Sequence, residues 1–194
     1  WGVVAFLAFI GMSAAFGIDA SLPAFDEMRP DVGLPPGSNR ITLAITVYFL
    51  GMAGGQIVYG PISDRFGRMA TLRVGMAIYA VGAAGSMLAT DFDFLLGSRL
   101  VWGLGASAAS LMNLAILRDL YSGTRMARMM SLVTAVFLAG PVVTPLAAEG
   151  ILRAASWRWI YACGLVLAVT IVAWSFRFGE TLHPDNRRPL RVGP

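Results

Sequence analysis

Two ionisable residues fall inside long apolar stretches of the sequence, where a charge is expensive unless it has a use. Asp19 lies in the apolar run 2–24, and Arg99 lies in the run 94–117. A charged side chain inside lipid costs about 2.5–3.5 kcal/mol on insertion scales. A carboxylate in such a place can bind and release a proton, and a guanidinium nearby can respond to that change. Both residues are therefore candidates for a coupling site.

The two residues have similar predicted depths. If both runs are helices, each residue lies about five positions from the same membrane boundary, which is roughly 7–8 Å at a rise of 1.5 Å per residue. Asp19 and Arg99 could therefore meet. The alternative is that Asp19 reaches the interface and caps a neighbouring helix, while Arg99 is a buried structural support.

Prolines mark two places where helix geometry is unusual. Pro23 lacks the donor that would bond to the carbonyl of Asp19, so we expect the first helix to weaken or end there. Pro141 and Pro145 follow Gly140 in another apolar run and lie one turn apart. Two such prolines should bend the helix. The bend would serve a hinge, a tight helix contact or ordinary packing.

A short charged stretch joins two of the apolar runs. It reads Gly60-Pro61-Ile62-Ser63-Asp64-Arg65-Phe66-Gly67-Arg68. Gly60 and Gly67 permit a turn that larger residues resist, so we expect a loop of about eight residues. Asp64 is predicted on the same side of the membrane as Arg118 and Asp119, which allows an ion-pair cluster between helices. Alternatively, these charges are solvated and only set the topology.

The elements that must position these residues are membrane-spanning helices. Of 194 residues, 57% are apolar and 13% are charged, and the mean hydropathy is +0.68, which excludes an ordinary soluble domain. A helix needs about 20 residues to cross the bilayer. Six runs qualify, namely 2–24, 41–61, 70–89, 94–117, 127–150 and 157–178. We predict an all-α membrane protein with a six-helix transmembrane bundle over residues 1–178.

The arginines predict the orientation of this bundle. Lysine is absent, ten arginines fall on one side of the predicted membrane, and four fall on the other. Because cytoplasmic loops are enriched in basic residues, both ends should be cytoplasmic. Residues 179–194 would then be a cytoplasmic tail or the start of a central linker. The proline-rich segment 25–40 is expected to be a surface loop on the opposite side.

Several classes of function find no support in the sequence. His183 and Cys163 are each single, and no metal-ligand cluster, nucleotide-binding loop or hydrolytic triad is present. The arginines alternate with apolar runs and do not form one basic segment, so nucleic-acid binding is not indicated. We expect neither an enzyme nor a bound cofactor or metal.

The charged stretch resembles motif A of the major facilitator superfamily, Gly-x-Leu-[Ser/Ala/Thr]-Asp-Arg-x-Gly-Arg-[Arg/Lys]. The matching residues are Gly60, Asp64, Arg65, Gly67 and Arg68. Met69 stands where the last basic residue is usual, and Ile62 replaces leucine. The stretch from Arg99 to Gly103 is similar to the fourth-helix motif Arg-x-x-Gln-Gly of that family, with Trp102 in place of glutamine.

Other segments resemble a subgroup, the Bcr/CflA-type drug resistance antiporters. The stretch Ile18–Ala24 is similar to the first-helix signature Ile-Asp-x-x-Leu-Pro-Ala of that subgroup. Gly140 and Pro141 look like the antiporter motif, and Pro145 completes the Pro-x-x-x-Pro pattern of the subgroup. Gly179-Glu180-Thr181-Leu182 also lies where the subgroup would place it.

The resemblance implies one half of a twelve-helix transporter, in which two six-helix halves rock around a central cavity. Asp19 would carry a proton, and Arg99 would be its coupling partner for proton and substrate. Pro141 and Pro145 would shape the fifth helix against the other half. The cytoplasmic latch that holds the outward-facing state would consist of Gly60, Asp64, Arg65, Gly67, Arg68 and Arg118.

The leading hypothesis is therefore a secondary active transporter for proton-coupled efflux of drugs or small amphipathic compounds, in a cell inner membrane. The chain begins with Trp1, and we expect it to be a fragment. Its partners would be lipid, protons, a small-molecule substrate, and a missing C-terminal six-helix half or a second copy. Alternatives are a solute:proton symporter of the same fold and a non-transporting membrane sensor or assembly subunit.

Overall fold

The computed structural model describes residues 2–182, and within that range the chain is helical without a strand. The helices are α1 Gly2–Asp19, α2 Phe25–Asp31, α3 Leu43–Phe66, α4 Arg68–Met87, α5 Phe92–Leu120, α6 Gly123–Leu152 and α7 Arg158–Ser175. Short 3-10 turns over Leu22–Ala24 and Asn39–Thr42 flank α2. The all-α prediction is confirmed. His183 and most of the predicted tail 179–194 lie outside the described residues.

Five helical stretches in the described range are long and apolar enough to cross a membrane. They are Gly2–Asp31, Asn39–Phe66, Phe92–Leu120, Gly123–Leu152 and Arg158–Ser175. The remaining predicted span corresponds to α4, whose 20 residues equal the length that a crossing requires. Because α4 contains Arg68 and Arg73, its identification as a span rests on length and stays a prediction.

The helices form a bundle around α5, which packs against α1, α3 and α4. Helix α1 also contacts α6 and α7, and α4 contacts α7. Many large apolar side chains point outward, including Ile57, Val81 and Leu138, which are 79%, 66% and 66% exposed. A soluble protein rarely exposes so much apolar surface, whereas a bundle in lipid does so on every outer face. The chain is therefore a multi-pass membrane protein.

Glycines allow the helices around α5 to approach closely. A Cβ atom at Gly103 of α5 would overlap the carbonyl oxygen of Tyr48 in α3. On another face of α5, a Cβ atom at Gly82 of α4 would overlap the backbone of Trp102. Small residues are favoured at such contacts because close packing drives helix association in lipid.

The expected loop over residues 60–68 is wrong. Helix α3 continues through Pro61 to Phe66, and α4 begins at Arg68, so Gly67 alone separates them. Gly67 has φ +103° and ψ 160°, a conformation open essentially only to glycine, and one such residue is enough to reverse the chain. Gly60 is helical and makes no turn.

The expected loop over residues 25–40 is also wrong in part, because it contains α2. Acidic side chains in the first turn favour the start of this helix, and Pro30 falls near its end. Met28 and Val32 are buried one turn apart, so α2 packs an apolar face against the bundle. Tertiary burial outweighs the helix-breaking tendency of the proline.

The prolines of the first and fifth spans differ in their effect. Helix α1 ends at Asp19 and a 3-10 turn carries Pro23, as predicted. Helix α6, by contrast, is assigned as one continuous helix through Pro141 and Pro145. The expected bend in α6 stays a prediction.

Candidate functional site

Arg99 is completely buried, and it joins α5 to the end of α1. Helix α5 starts after Asp91, whose carboxylate accepts a hydrogen bond from the backbone N–H of Phe94 at 2.8 Å. Two turns further on, Arg99 donates from Nη1 to the carbonyl oxygen of Gly17 at 2.8 Å and from Nη2 to Oγ of Ser21 at 2.6 Å. The last carbonyls of a helix lack partners and carry partial negative charge, so a cation is well placed there.

Aromatic rings surround the guanidinium group of Arg99. Its Cζ atom lies 5.4 Å from the ring centroid of Tyr48, 5.2 Å from that of Trp102 and 5.6 Å from that of Tyr161. Ring faces attract a cation most strongly where water is excluded. Trp102, which replaces the usual glutamine, therefore provides a ring face beside the charge. Nε of Arg99 and Nε1 of Trp102 have no hydrogen-bond partner among residues 2–182.

Asp19 lies between the two residues that Arg99 binds, Gly17 and Ser21. Its side chain is half-buried, and within residues 2–182 it forms no ion pair with Arg99. The two residues lie at the same end of α1, as their shared depth indicated, but Arg99 binds the backbone and a hydroxyl group and not the carboxylate.

A second arginine, Arg68, organises the corner between α3 and α4. Its Nη1 atom donates to Oδ1 of Asp64 at 2.6 Å and to Oγ of Ser63 at 2.6 Å, and its Nε atom donates to Oδ2 of Asp119 at 3.2 Å. We call Ser63, Asp64, Arg68, Asp119 and Glu180 the Arg68 cluster. Burial lowers the pKa of Arg68, but its hydrogen bonds with Asp64 and Asp119 outweigh this effect and raise the pKa above its ordinary value.

Glu180 completes the Arg68 cluster from the segment after α7. Its Oε1 atom accepts a hydrogen bond from the backbone N–H of Arg68 at 2.7 Å, and its Oε2 atom accepts one from Met69 at 3.3 Å. A carboxylate at a helix N-terminus is favourable because the free N–H groups there carry partial positive charge. A Cβ atom at Gly67 would overlap this carboxylate, so the glycine leaves room for the cap.

Two predicted latch residues lie apart from these contacts. Arg65 is exposed and its guanidinium lies 5.3 Å from the ring centroid of Phe66. Arg118 is also exposed, and together with Gly60 and Asp64 it lines a cavity of about 240 Å³. Neither arginine forms an ion pair with a residue in the range 2–182.

The site predicted from the sequence did not include three members of the Arg68 cluster, namely Ser63, Asp119 and Glu180. Asp119 follows Arg118 directly, and one step along a helix turns a side chain by about 100°. Only the aspartate can pair with Arg68, because Arg118 is itself a cation, and the rotation of α5 that brings the carboxylate within reach is not visible in the sequence. Glu180 is 112 residues away from Arg68 in sequence, so no local pattern joins them.

The predicted antiporter-motif residues lie on a helix with few buried positions. Gly140, Thr144 and Ala148 are buried in α6, at intervals of one turn. A Cβ atom at Gly140 would come within 2.9 Å of Cβ of Ala15 in α1. Pro141 is exposed and Pro145 is half-buried. Helix α6 therefore contacts α1 along a narrow stripe and leaves a broad apolar face uncovered.

Comparison with known proteins identifies the family. The sequence matches the Major Facilitator Superfamily over residues 7–193. It is 33% identical over 190 residues to a bicyclomycin resistance protein homolog of Haemophilus influenzae, covering 96% of this chain and 46% of the relative. It is 33% identical over 166 residues to a chloramphenicol resistance protein of Pseudomonas aeruginosa, covering 84% and 39%.

The fold agrees with this match. The crystal structure of a D-xylose-proton symporter superposes with a TM-score of 0.82 at 14% identity, covering 93% of this chain and 48% of the symporter. The chain thus spans about half the length of the curated relatives it matches. Its helices have the architecture of one half of such a transporter, and the family consists of transporters and not of enzymes. This chain belongs to the Major Facilitator Superfamily.

Proposed function

We propose that this chain is the first half of a secondary active transporter that exports small amphipathic compounds in exchange for protons. The observation that carries the proposal is the buried Arg99, which is hydrogen-bonded on both sides of the half-buried carboxylate of Asp19. The resistance proteins among the relatives support export as the direction. A second six-helix half, or a second copy of this one, would complete the central cavity.

The coupling step follows from the position of Asp19. A proton on Asp19 removes a negative charge two residues away from both groups that Arg99 binds. The attraction between the end of α1 and α5 then weakens, so proton binding alters the contact between these helices. Because α1 also packs against α6, a shift of α1 is transmitted to a helix with a large uncovered apolar face.

The Arg68 cluster would act as the latch on the cytoplasmic side of an inner membrane, with both ends of the chain in the cytoplasm. Asp64 is 42% exposed even though it pairs with Arg68, so a basic group of the second half can reach it. Arg65 and Arg118 are exposed at the same corner and can bind acidic groups of that half. Gly67 keeps the corner compact, and Gly60 lines the cavity beside it. On α6, Gly140, Pro141 and Pro145 would shape the helix that meets the second half.

Proton-driven flux through the intact gene product tests the proposal. In proteoliposomes with an imposed proton gradient, we expect protons moving down their gradient to drive chloramphenicol in the opposite direction. The variant Asp19→Asn should lose this driven flux and retain exchange of labelled for unlabelled chloramphenicol, because exchange needs no proton. Asp93→Asn, which changes an exposed carboxylate at the start of α5, is the matched control and should behave as the wild type.

The outcomes separate the alternatives. Movement of chloramphenicol in the same direction as the protons would indicate a symporter. Absence of both exchange and driven flux in the wild type would contradict transport and favour a sensor or assembly subunit. Unchanged driven flux in Asp19→Asn would contradict the assignment of Asp19.

A further inference from the structure

A cleft between α1, α5 and α6 contains polar groups that have no hydrogen-bond partner among residues 2–182. We propose that this cleft is part of the substrate site and that it selects an uncharged amphipathic molecule with hydrogen-bonding groups. The inference rests on the proposed transport function, and it adds a recognition residue, Asn113, and a substrate class. The cleft has a volume of about 210 Å³. Whole small-molecule sites have volumes of roughly 300–1,000 Å³, so these helices supply one part of a site.

The lining of the cleft is apolar with three uncharged polar residues. Leu117, Met130 and Phe137 are among its apolar residues, and Ser110, Asn113 and Thr134 are the polar ones. None of the lining residues carries a charge. A cation would therefore enter an apolar wall without a counter-charge on this side, which is unfavourable. A neutral molecule meets no such penalty.

Asn113 is the strongest indication of a ligand. Its Oδ1 atom is buried and has no hydrogen-bond partner among the described residues. An unpaired buried oxygen reduces stability, and proteins retain few of them without a reason. A donor group on a bound molecule would supply the missing partner, with a modest movement of the amide into the cleft.

The hydroxyl groups beside Asn113 are also free. Ser107, one turn before Ser110 on α5, donates to the carbonyl oxygen of Leu104 at 2.7 Å. Ser131 on α6 likewise donates to the carbonyl oxygen of Ala127 at 3.0 Å. Ser110 and Thr134 make no hydrogen bond within residues 2–182. Their hydroxyl groups are exposed in the cleft and can bind a ligand.

Gly11 of α1 makes room for the amide of Asn113. A Cβ atom at Gly11 would lie 3.0 Å from Nδ2 of Asn113, closer than ordinary contact. Gly11 precedes Asp19 by eight residues on the same helix, which corresponds to about 12 Å. The recognition group and the proton carrier are therefore separate, and a neutral substrate need not bind to the carboxylate itself in order to be exchanged for a proton.

Equilibrium binding to the purified intact gene product tests this inference without a proton gradient. The probes are chloramphenicol, which is neutral, and tetraphenylphosphonium, a lipophilic cation. We expect the wild type to bind chloramphenicol more tightly. Asn113→Leu, which keeps the volume and removes the amide, should raise the Kd for chloramphenicol by about tenfold, and Thr134→Val by about threefold, as expected for hydrogen bonds of ordinary strength. Asn113→Asp should shift the preference toward the cation.

Ser131, which lies on α6 next to the cleft, provides the control. Ser131→Ala removes a hydroxyl group that is already bonded within α6, so its Kd should equal that of the wild type. Thr134→Val is nearly isosteric and exposed, so it decides the question even if Asn113→Leu does not fold. Tighter binding of the cation by the wild type, or unchanged chloramphenicol binding in Thr134→Val and in folded Asn113→Leu, would overturn the inference. Loss of proton-driven flux with intact binding would instead contradict the proposed function.

Discussion

Arg99 and Arg68 each join helices through a single arginine, but their surroundings differ. Arg99 has no exposed surface and binds a backbone carbonyl, a hydroxyl group and three aromatic rings. Arg68 is partly exposed and binds carboxylates of Asp64 and Asp119. The first arrangement leaves the neighbouring carboxylate of Asp19 without an ion pair to Arg99 in the described part of the chain. The second neutralises the charge of Arg68 and joins α3, α4 and α5 through ion pairs, whose attraction salt reduces.

Removing each arginine contact should therefore have a different effect. A buried cation packed among aromatic rings contributes to the stability of the protein through its volume and its hydrogen bonds as well as its charge. An ion pair at the edge of the bundle contributes mainly through charge. The stability of variants of the intact gene product in detergent can separate these contributions.

The largest effect on stability is expected for Arg99→Ala. It removes one of the largest fully buried side chains and leaves the carbonyl oxygen of Gly17 without its donor. We expect a loss of about 3–5 kcal/mol, measured as a large fall in the thermal midpoint. Arg99→Lys should recover part of it, because one ammonium group cannot reach both acceptors with the geometry of the guanidinium fork. Arg65→Ala, which alters an exposed arginine, is the control. A midpoint equal to that of the wild type in Arg99→Ala would contradict the structural role of Arg99.

A smaller effect is expected for Gly67→Ala at the Arg68 cluster. The backbone at Gly67 is open essentially only to glycine, and an added Cβ atom would overlap the carboxylate of Glu180. We expect a loss of about 1–3 kcal/mol. Gly60→Ala should be neutral or stabilising, because Gly60 is helical and no atom lies in the way of its Cβ. Equal losses in both variants would contradict the single-residue turn.

The smallest effect is expected for Asp64→Asn. Asp64 is 42% exposed, and ion pairs at such positions contribute about 0.2–1 kcal/mol. The loss should shrink as salt rises from about 0.1 M to 1 M, because the screening length falls from about 10 Å to 3 Å. The loss caused by Arg99→Ala should stay the same over that range. Equal salt dependence of the two losses would remove the distinction between the two arginines.

The sequence predicted the features that depend on local patterns. Runs of apolar residues predicted the spanning helices, and Pro23 predicted the end of α1. The shared depth of Asp19 and Arg99 indicated that the two could meet, since helical rise converts sequence position to height. Arg99 does reach the end of α1, but it binds Gly17 and Ser21 and not the carboxylate.

Features that depend on distant packing could not be predicted in the same way. The segment after α7 places Glu180 at the start of α4, and nothing near either position announces this contact. Asp119 pairs with Arg68, and the rotation of α5 in the bundle, which the sequence does not display, places its carboxylate beside the guanidinium group. The prolines of segment 25–40 argued against a helix there, although α2 forms and the burial of Met28 and Val32 stabilises it. The position of the unpaired Oδ1 atom of Asn113 likewise depends on how α1, α5 and α6 pack together, which no local pattern predicts.

Proton release on substrate binding tests the central claim most directly. If Asp19 exchanges its proton for substrate, adding chloramphenicol to the purified intact gene product in weakly buffered detergent solution should release protons, detected with a pH indicator. We expect release by the wild type and by Asp93→Asn, and none by Asp19→Asn at a concentration where chloramphenicol still binds. Binding without proton release in the wild type, or equal release in Asp19→Asn, would contradict the account.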